Sequence, residues 1–200
     1  MARTREFDTD AAVERAMEVF WRKGYAATSI QDLVEATGVG RGSLYAAFGS
    51  KDGLYEAALE RYARQSTGRA AAALERDAPV REVLRELMLG MVDETVLDPQ
   101  RRGCLVTNTA VERLPADRTA GRVVGDALDA LTRSIRRALC RARERGELRA
   151  DADVTAMADF VVTALQGIRV QGKAGADRRR LADVVDLALS VLDIPDRSTK

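Results

Sequence analysis

With 200 residues and a 46% hydrophobic share, the chain can build one ordinary domain, or a small domain joined to a larger one. Its 32 basic and 31 acidic side chains nearly cancel, and it has no histidine, which excludes Ser-His-Asp, Cys-His and His-rich metal arrangements. No apolar run approaches the roughly 18 residues of a membrane span, and the first residues lack the apolar region of a signal peptide. A cytoplasmic protein without membrane partners is expected. Proline is scarce at 4 residues, while Ala, Leu, Arg and Glu abound, which favours an all-helical chain. Neither a P-loop nor a dinucleotide fingerprint is present, and the acidic residues are scattered along polar faces. No catalytic residue, metal or cofactor is expected, and the chain does not read as an enzyme.

The first helix is expected from Asp8 to Lys23, with Val13, Ala16, Met17 and Phe20 on one face. Gly24 ends it. Thr28 is expected to cap a second helix, with Gln31 as the return half of a capping box. That helix stops at Thr37-Gly38, where glycine accepts a left-handed conformation. A third helix runs from about Arg41 to Phe48 with Leu44 and Phe48 inward, and a long fourth opens at Ser50-Lys51-Asp52-Gly53. Asp77-Ala78-Pro79 breaks the chain. Helices are then expected at Val80–Leu97, from Cys104 to about Glu112, at about Asp117–Arg145, from Asp151 to about Gly172, and at Asp177–Leu192. This amounts to about nine helices. Pro195 to Lys200 is expected to fray.

Two short helices joined through Thr37-Gly38-Val39-Gly40 form a helix-turn-helix spanning about residues 29–48. The second must lie in a DNA major groove, so its outer face carries small and polar groups. Arg41 can bond guanine or a phosphate, Ser43 either, and Tyr45 a phosphate through its hydroxyl. Lys51 adds a backbone contact beside the free N–H groups of the fourth helix. Gly40 and Gly42 let the chain approach the duplex closely. Overall charge does not advertise this role, because residues 1–64 carry nine basic and ten acidic side chains. Phosphate contact then depends on Arg3, Arg5, Arg41 and Lys51 sharing a face. The basic excess lies instead at residues 101–150, where Arg133, Arg137 and Arg141 follow at i+4 spacing and read as a solvated helix face.

The segment FWRKGYAATSIQDLVEATGVGRGSLYAAFGSKDGLYEAAL, Phe20 to Leu59, resembles the DNA-binding domain of the TetR family of bacterial transcriptional regulators. Gly24-Tyr25, Thr28-Ser29-Ile30, Gly38-Val39, Gly42-Ser43-Leu44-Tyr45, Phe48 and Ser50-Lys51 stand in that family's order. The resemblance implies a three-helix DNA-binding domain over residues 1–50, linked by a helix at 51–76 to a larger effector-binding and dimerisation domain over 77–200. It implies DNA contact by Thr28, Ser29, Arg41, Ser43, Tyr45 and Lys51. Val34, Ala46 and Gly49 depart from the family pattern, and a bare Ala46 removes one side chain from the reading helix. A dimeric repressor on near-palindromic double-stranded operator DNA is implied, released by a small molecule, an electrophile or an oxidant. The competing class is a helical-bundle enzyme or small-molecule carrier that binds no DNA.

In the family the last two long helices pair two copies of the chain. Here Val154, Met157, Ala158, Val161, Val162 and Leu165 form one apolar stripe, and Leu181, Val184, Val185, Leu187, Ala188 and Val191 another. Both are expected at the homodimer seam. Met88, Met91, Thr107, Asn108, Phe160 and Gln166 are candidates to line an effector pocket. RRGCLVTNTAVE, Arg101 to Glu112, places Cys104 after Gly103 at a helix start, with two Arg just before it. Helix N-termini and nearby cations favour the thiolate. The stretch also resembles a Gly-Cys-Leu pattern of one TetR subgroup, some of whose members respond to electrophiles or oxidants. Lys173 is a possible partner for a modified sulfur. Cys140 reads as structural, and a Cys104–Cys140 disulfide as the weaker option.

Overall fold

Asp8 and Gly24 bound the first helix. The Asp8 carboxylate accepts from the Ala11 N–H, and Gly24, at φ +79°, ends α1 (Thr9–Lys23). A computed structural model describes residues 7–193, so Arg3, Arg5 and Pro195–Lys200 lie outside the described residues. Within them the chain forms α2 (Ile30–Thr37), α3 (Arg41–Phe48), α4 (Lys51–Leu74), α5 (Val80–Val96), α6 (Leu105–Arg113), α7 (Arg118–Glu144), α8 (Val154–Lys173) and α9 (Arg178–Leu189). A short 3-10 turn at Ser190–Asp193 follows, and no strand occurs among the described residues. The expected all-α architecture of about nine helices holds.

The chain divides into two compact units. One runs up to Gln65 and takes in Cys104–Gly125; the other comprises Ser66–Gly103 and the chain from Asp126 onward. In the first unit Ala12, Ala16, Met17, Val19 and Phe20 of α1 pack inward with Leu33, Leu44, Leu54, Ala58 and Leu59. Phe20 meets Tyr55 edge-on at 4.8 Å, and Tyr55 meets Tyr25 at 5.1 Å. Aromatic edges and faces of opposite partial charge favour that arrangement.

The second unit is built on α5, α8 and α9, which pack against one another. Leu84, Met88, Ile135, Leu139, Val161, Leu165, Ile168, Val185 and Leu189 are all essentially inaccessible. This corrects the expected dimer seam. Val154, Met157, Ala158, Val161, Val162, Leu165, Leu181, Val185 and Ala188 are buried within the single chain, because α8 turns their stripe onto α5 and α9. The large apolar side chains that α8 and α9 leave exposed are Phe160, Val170, Val184 and Leu187, the last 74% accessible. Arg141, half-buried on α7, donates to the Leu74 carbonyl at the end of α4 and pairs with Glu75, so one member of the arginine row is structural. Arg133 and Arg137 stay exposed.

Candidate nucleic-acid interface

The turn between α2 and α3 is made by Gly38 at φ +70°, ψ +11°, where a side chain would be strained. Its N–H bonds the Val34 carbonyl and closes α2. The start of α2 differs from the expected box. Ser29, not Thr28, is the N-cap, and Asp32, not Gln31, completes it: the Ser29 hydroxyl accepts from the Asp32 N–H while the Asp32 carboxylate accepts from the Ser29 N–H. A Ser sits closer to the helix entry, and the shorter Asp reaches back as well as Gln would. Asp32 is also held by the Lys23 ammonium at 2.6 Å, and its carboxyl lies well below the usual carboxylate range, first through Lys23 and then through the Ser29 N–H. Thr28 is buried with its hydroxyl donating to the Gly24 carbonyl at 2.6 Å.

α3 buries Leu44 and turns the rest of its surface outward; Phe48 is half-buried rather than enclosed. Ser29, Gly40, Arg41 and Gly42 are exposed, and Ser43 and Tyr45 are half-exposed. A Cβ added at Gly40 or Gly42 would meet no described atom within 4 Å, so neither glycine is demanded by packing inside the chain. Their bareness leaves an open surface along the start of α3. The Arg41 guanidinium lies 5.2 Å from the Tyr45 ring centroid, one helical turn on, which holds the cation against the reading face. Lys51 opens α4 with its ammonium 4.2 Å from the Tyr25 ring centroid. Arg41, Ser43 and Tyr45 therefore share one short helix, and Lys51 stands across the α3–α4 corner.

That corner has no slack. Gly49 takes φ +76°, Ser50 accepts from the Gly53 N–H, and a Cβ at Gly53 would lie 2.0 Å from the Phe48 carbonyl oxygen. Only glycine fits there.

Two residues that the sequence reading passed over anchor this unit from α6. The Glu112 carboxylate accepts from the Tyr25 and Ala26 N–H groups at 3.0 and 2.8 Å, in the turn between α1 and α2. The Arg113 guanidinium lies 3.6 Å from the Tyr25 ring centroid and donates to Asp52 at 2.8 Å and to Asp117 at 2.9 Å. The Tyr25 hydroxyl donates to the same Asp52 oxygen. Asp52 is held below its ordinary value by the Tyr25 hydroxyl and then by Arg113, and Asp117 by the Ala120 N–H and then Arg113. Burial alone would lower Arg113, but its bonds to Tyr25, Asp117 and Asp52 outweigh that and raise it. The buried Tyr55 hydroxyl pairs with Thr109 of α6 at 2.8 Å. The i, i+4 spacing of Arg113 and Asp117 was a visible signal; the pairing with Tyr25, 88 positions away in sequence, was not.

Cys104 is buried at the N-cap of α6, and its carbonyl accepts from the Asn108 N–H at 2.8 Å. Asn108 is half-buried one turn further on. Arg102, expected to act on the thiol, commits its backbone N–H and guanidinium to Asp98 at 2.8 and 2.9 Å. Lys173 is exposed, and its stem passes so close to Gly103 that a Cβ there would lie 3.1 Å from the Lys173 Cδ. Neither Cys104 nor Cys140 is held in a disulfide. Among the described residues no group of His, Cys, Asp or Glu is arranged to hold a metal ion, and no helix is long and apolar enough to cross a membrane.

Comparison with known proteins places this arrangement. Residues 12–58 match the family model for bacterial regulatory proteins of the tetR family, and residues 81–188 match the tetracyclin repressor-like C-terminal domain. The HTH-type transcriptional regulator YezE of Bacillus subtilis is 37% identical, over 96% of this chain and 100% of its own length. The HTH-type transcriptional repressor ComR of Escherichia coli is 31% identical, over 94% and 90%. Among solved structures, a cysteine mutant of the TetR family transcriptional regulator CifR, complexed with 26-bp double-strand operator DNA, superposes with a TM-score of 0.83 at 37% identity, covering 94% of this chain and 98% of that one. With both halves of the sequence matched and relatives aligned over nearly their whole length, the chain belongs to the TetR family of bacterial transcriptional regulators and not to a class of enzymes.

Proposed function

We propose that the protein is a cytoplasmic repressor that binds a near-palindromic double-stranded operator as a homodimer and leaves it when a small effector, an electrophile or an oxidant reaches the regulatory part. The observation that supports this best is the open face of α3, where Arg41, Ser43 and Tyr45 stand outward on one helix behind a left-handed glycine turn. That is the geometry of a helix that enters a major groove by its amino-terminal residues. CifR, of similar sequence and fold, is seen on operator DNA. Ser29, Gly40, Gly42 and Lys51 border the same face and would position the phosphate backbone. Thr28 would serve it indirectly, since its hydroxyl is spent on the Gly24 carbonyl. The exposed Phe160, Val170, Val184 and Leu187 favour pairing through α8 and α9, because apolar side chains of that size are otherwise costly on a surface.

Cys104 is the proposed sensing thiol, and Asn108 and Lys173 are proposed to take part in the response. Its place at the start of α6 supports the reading: the same helix, about 13 Å long, ends in the Glu112–Arg113 anchor on Tyr25. A larger group on a buried sulfur must displace that helix, and the displacement would be felt at the anchor. Binding of purified protein to the DNA flanking its own gene, in a gel-shift titration with and without a mild electrophile, tests both parts. An absence of any sequence-preferring shift would sink the repressor reading.

A further inference from the structure

The core holds α2 and α3 lightly: Leu33 and Thr37 are the buried residues of α2, and Leu44 is that of α3. Apolar burial is non-directional, so it fixes where a short helix sits better than how it is angled. Polar contacts must supply the angle. Thr37 closes α2 and is 3% exposed. Its hydroxyl donates to the Leu33 carbonyl at 2.6 Å and accepts from the Val39 N–H at 3.2 Å, so it serves in both roles. A valine has the same shape, and packing alone does not call for the hydroxyl. The Thr37 carbonyl is one of the last four of α2, which find no partner inside their helix. It accepts from Arg15 Nη1 at 2.9 Å. α2 has no basic residue in its own last turn, and Arg15 brings that cation from α1. Val39 then leads from the left-handed Gly38 to Gly40, whose carbonyl accepts from the Leu44 N–H of α3.

We infer that Arg15 and Thr37 are positioning residues for operator reading: together they pin the turn at Thr37–Val39, and so set the angle at which α3 leaves α2. The inference rests on the repressor reading above and adds two residues outside its contact set. Thr37 is buried, and the Arg15 guanidinium is engaged on a carbonyl. Base readout needs side chains held to about 0.5 Å, whereas contacts to phosphate carry no sequence information. A loosened turn therefore costs sequence preference before it costs attraction to DNA at large.

The experiment compares full-length parent, Thr37→Val, Thr37→Ser and Arg15→Met on two duplexes, the DNA flanking the protein's own gene and a shuffled sequence of equal length. Thr37→Val and Arg15→Met should each lower operator affinity by about three- to tenfold, the range that one lost hydrogen bond supplies. Affinity for the shuffled duplex and the salt slope should match the parent, and Thr37→Ser should restore operator affinity. Amide hydrogen exchange in the free protein is the second readout. Thr37→Val should speed exchange at Val39 and leave the amides of α1 unchanged; Arg15→Met on DNA keeps the test decisive if Thr37→Val does not fold. Equal losses on both duplexes, or no rescue by Thr37→Ser, would overturn the inference. So would a salt slope lowered by about one in Arg15→Met, the mark of a lost phosphate contact. A parent that prefers neither duplex would defeat the repressor reading. In that case faster Val39 exchange in Thr37→Val would still uphold the pinned turn, and unchanged exchange would overturn it.

Discussion

Arg113 lies over the Tyr25 ring, its guanidinium carbon 3.6 Å from the ring centroid, while both residues bond one oxygen of Asp52. Stacking and a shared carboxylate make each partner hold the other in place. Arg113→Ala should therefore lower stability by about 1–3 kcal/mol in urea denaturation, because it strips a cation from the Tyr25 ring and leaves two carboxylates without it. Arg113→Lys should recover only part of the loss, since an ammonium lacks the planar fork. Full recovery by Lys would show that charge alone matters.

The same carboxylates set an acid limit. Asp52 and Asp117 are held below their ordinary values in the folded chain. A depressed carboxylate contributes stability that is present above its unfolded pKa of about 3.9 and is lost as pH falls through the lower folded value. Urea midpoints should fall steeply below about pH 4 in the parent. Asp52→Asn with Asp117→Asn should flatten that fall while lowering stability at neutral pH. Parallel pH curves would refute the assignment.

On DNA, Arg41→Ala should cost about 1–3 kcal/mol and relax preference at one base pair in each half-site. Lys51→Ala should weaken binding evenly across sequences and reduce the salt slope by about one. Competition gel shifts at several salt concentrations distinguish them. If Arg41→Ala lowers affinity evenly as well, Arg41 contacts only the backbone.

The burial pattern splits the proposed dimer seam from the core. Leu187→Glu, at a 74% exposed position, should yield folded monomers in sedimentation velocity. Val161→Glu and Leu165→Glu, at fully buried positions, should instead unfold the second unit, because each buries an unpaired charge. A folded dimer of Leu187→Glu would place the interface on another surface.

Cys104 is 3% exposed and Cys140 half-buried, so a bulky alkylating agent should reach Cys140 first and a small electrophile should discriminate less. If Cys104 is the sensor, operator release by the small electrophile should track Cys104 modification in mass spectra, and Cys104→Ser should stay bound. A coupling of 1–3 kcal/mol, usual for allosteric sites, corresponds to about 5–150-fold weaker DNA binding. Release by Cys104→Ser at the parent's dose would end that role.

Local chemistry made much of this fold legible. Apolar spacing located each helix, and Gly24, Gly38 and Pro79 marked where helices stop or start, because those features act over a few residues. The helix-turn-helix could be read because its turn glycine and outward polar residues lie within 20 positions. Two things could not. Stripe Val161–Leu165 looked like a seam between chains, since an apolar face does not say whether its partner is in the same chain. The Glu112–Arg113 anchor and the buried Arg169 depend on contacts made far along the sequence, and no local pattern separates them from surface charges. The capping box slipped by one residue for a subtler reason: Thr28-Ser29 and Gln31-Asp32 offer two valid frames, and burial of Thr28 decides between them.

The missing Cβ of Gly53 has a mechanical meaning. With the Phe48 carbonyl 2.0 Å from where that atom would be, α3 and the first turn of α4 are welded into a bell crank. A residue larger than glycine at position 53 would have to pry the two apart. The angle at which α3 meets the start of α4 is thereby fixed by a carbonyl resting against a bare α-carbon.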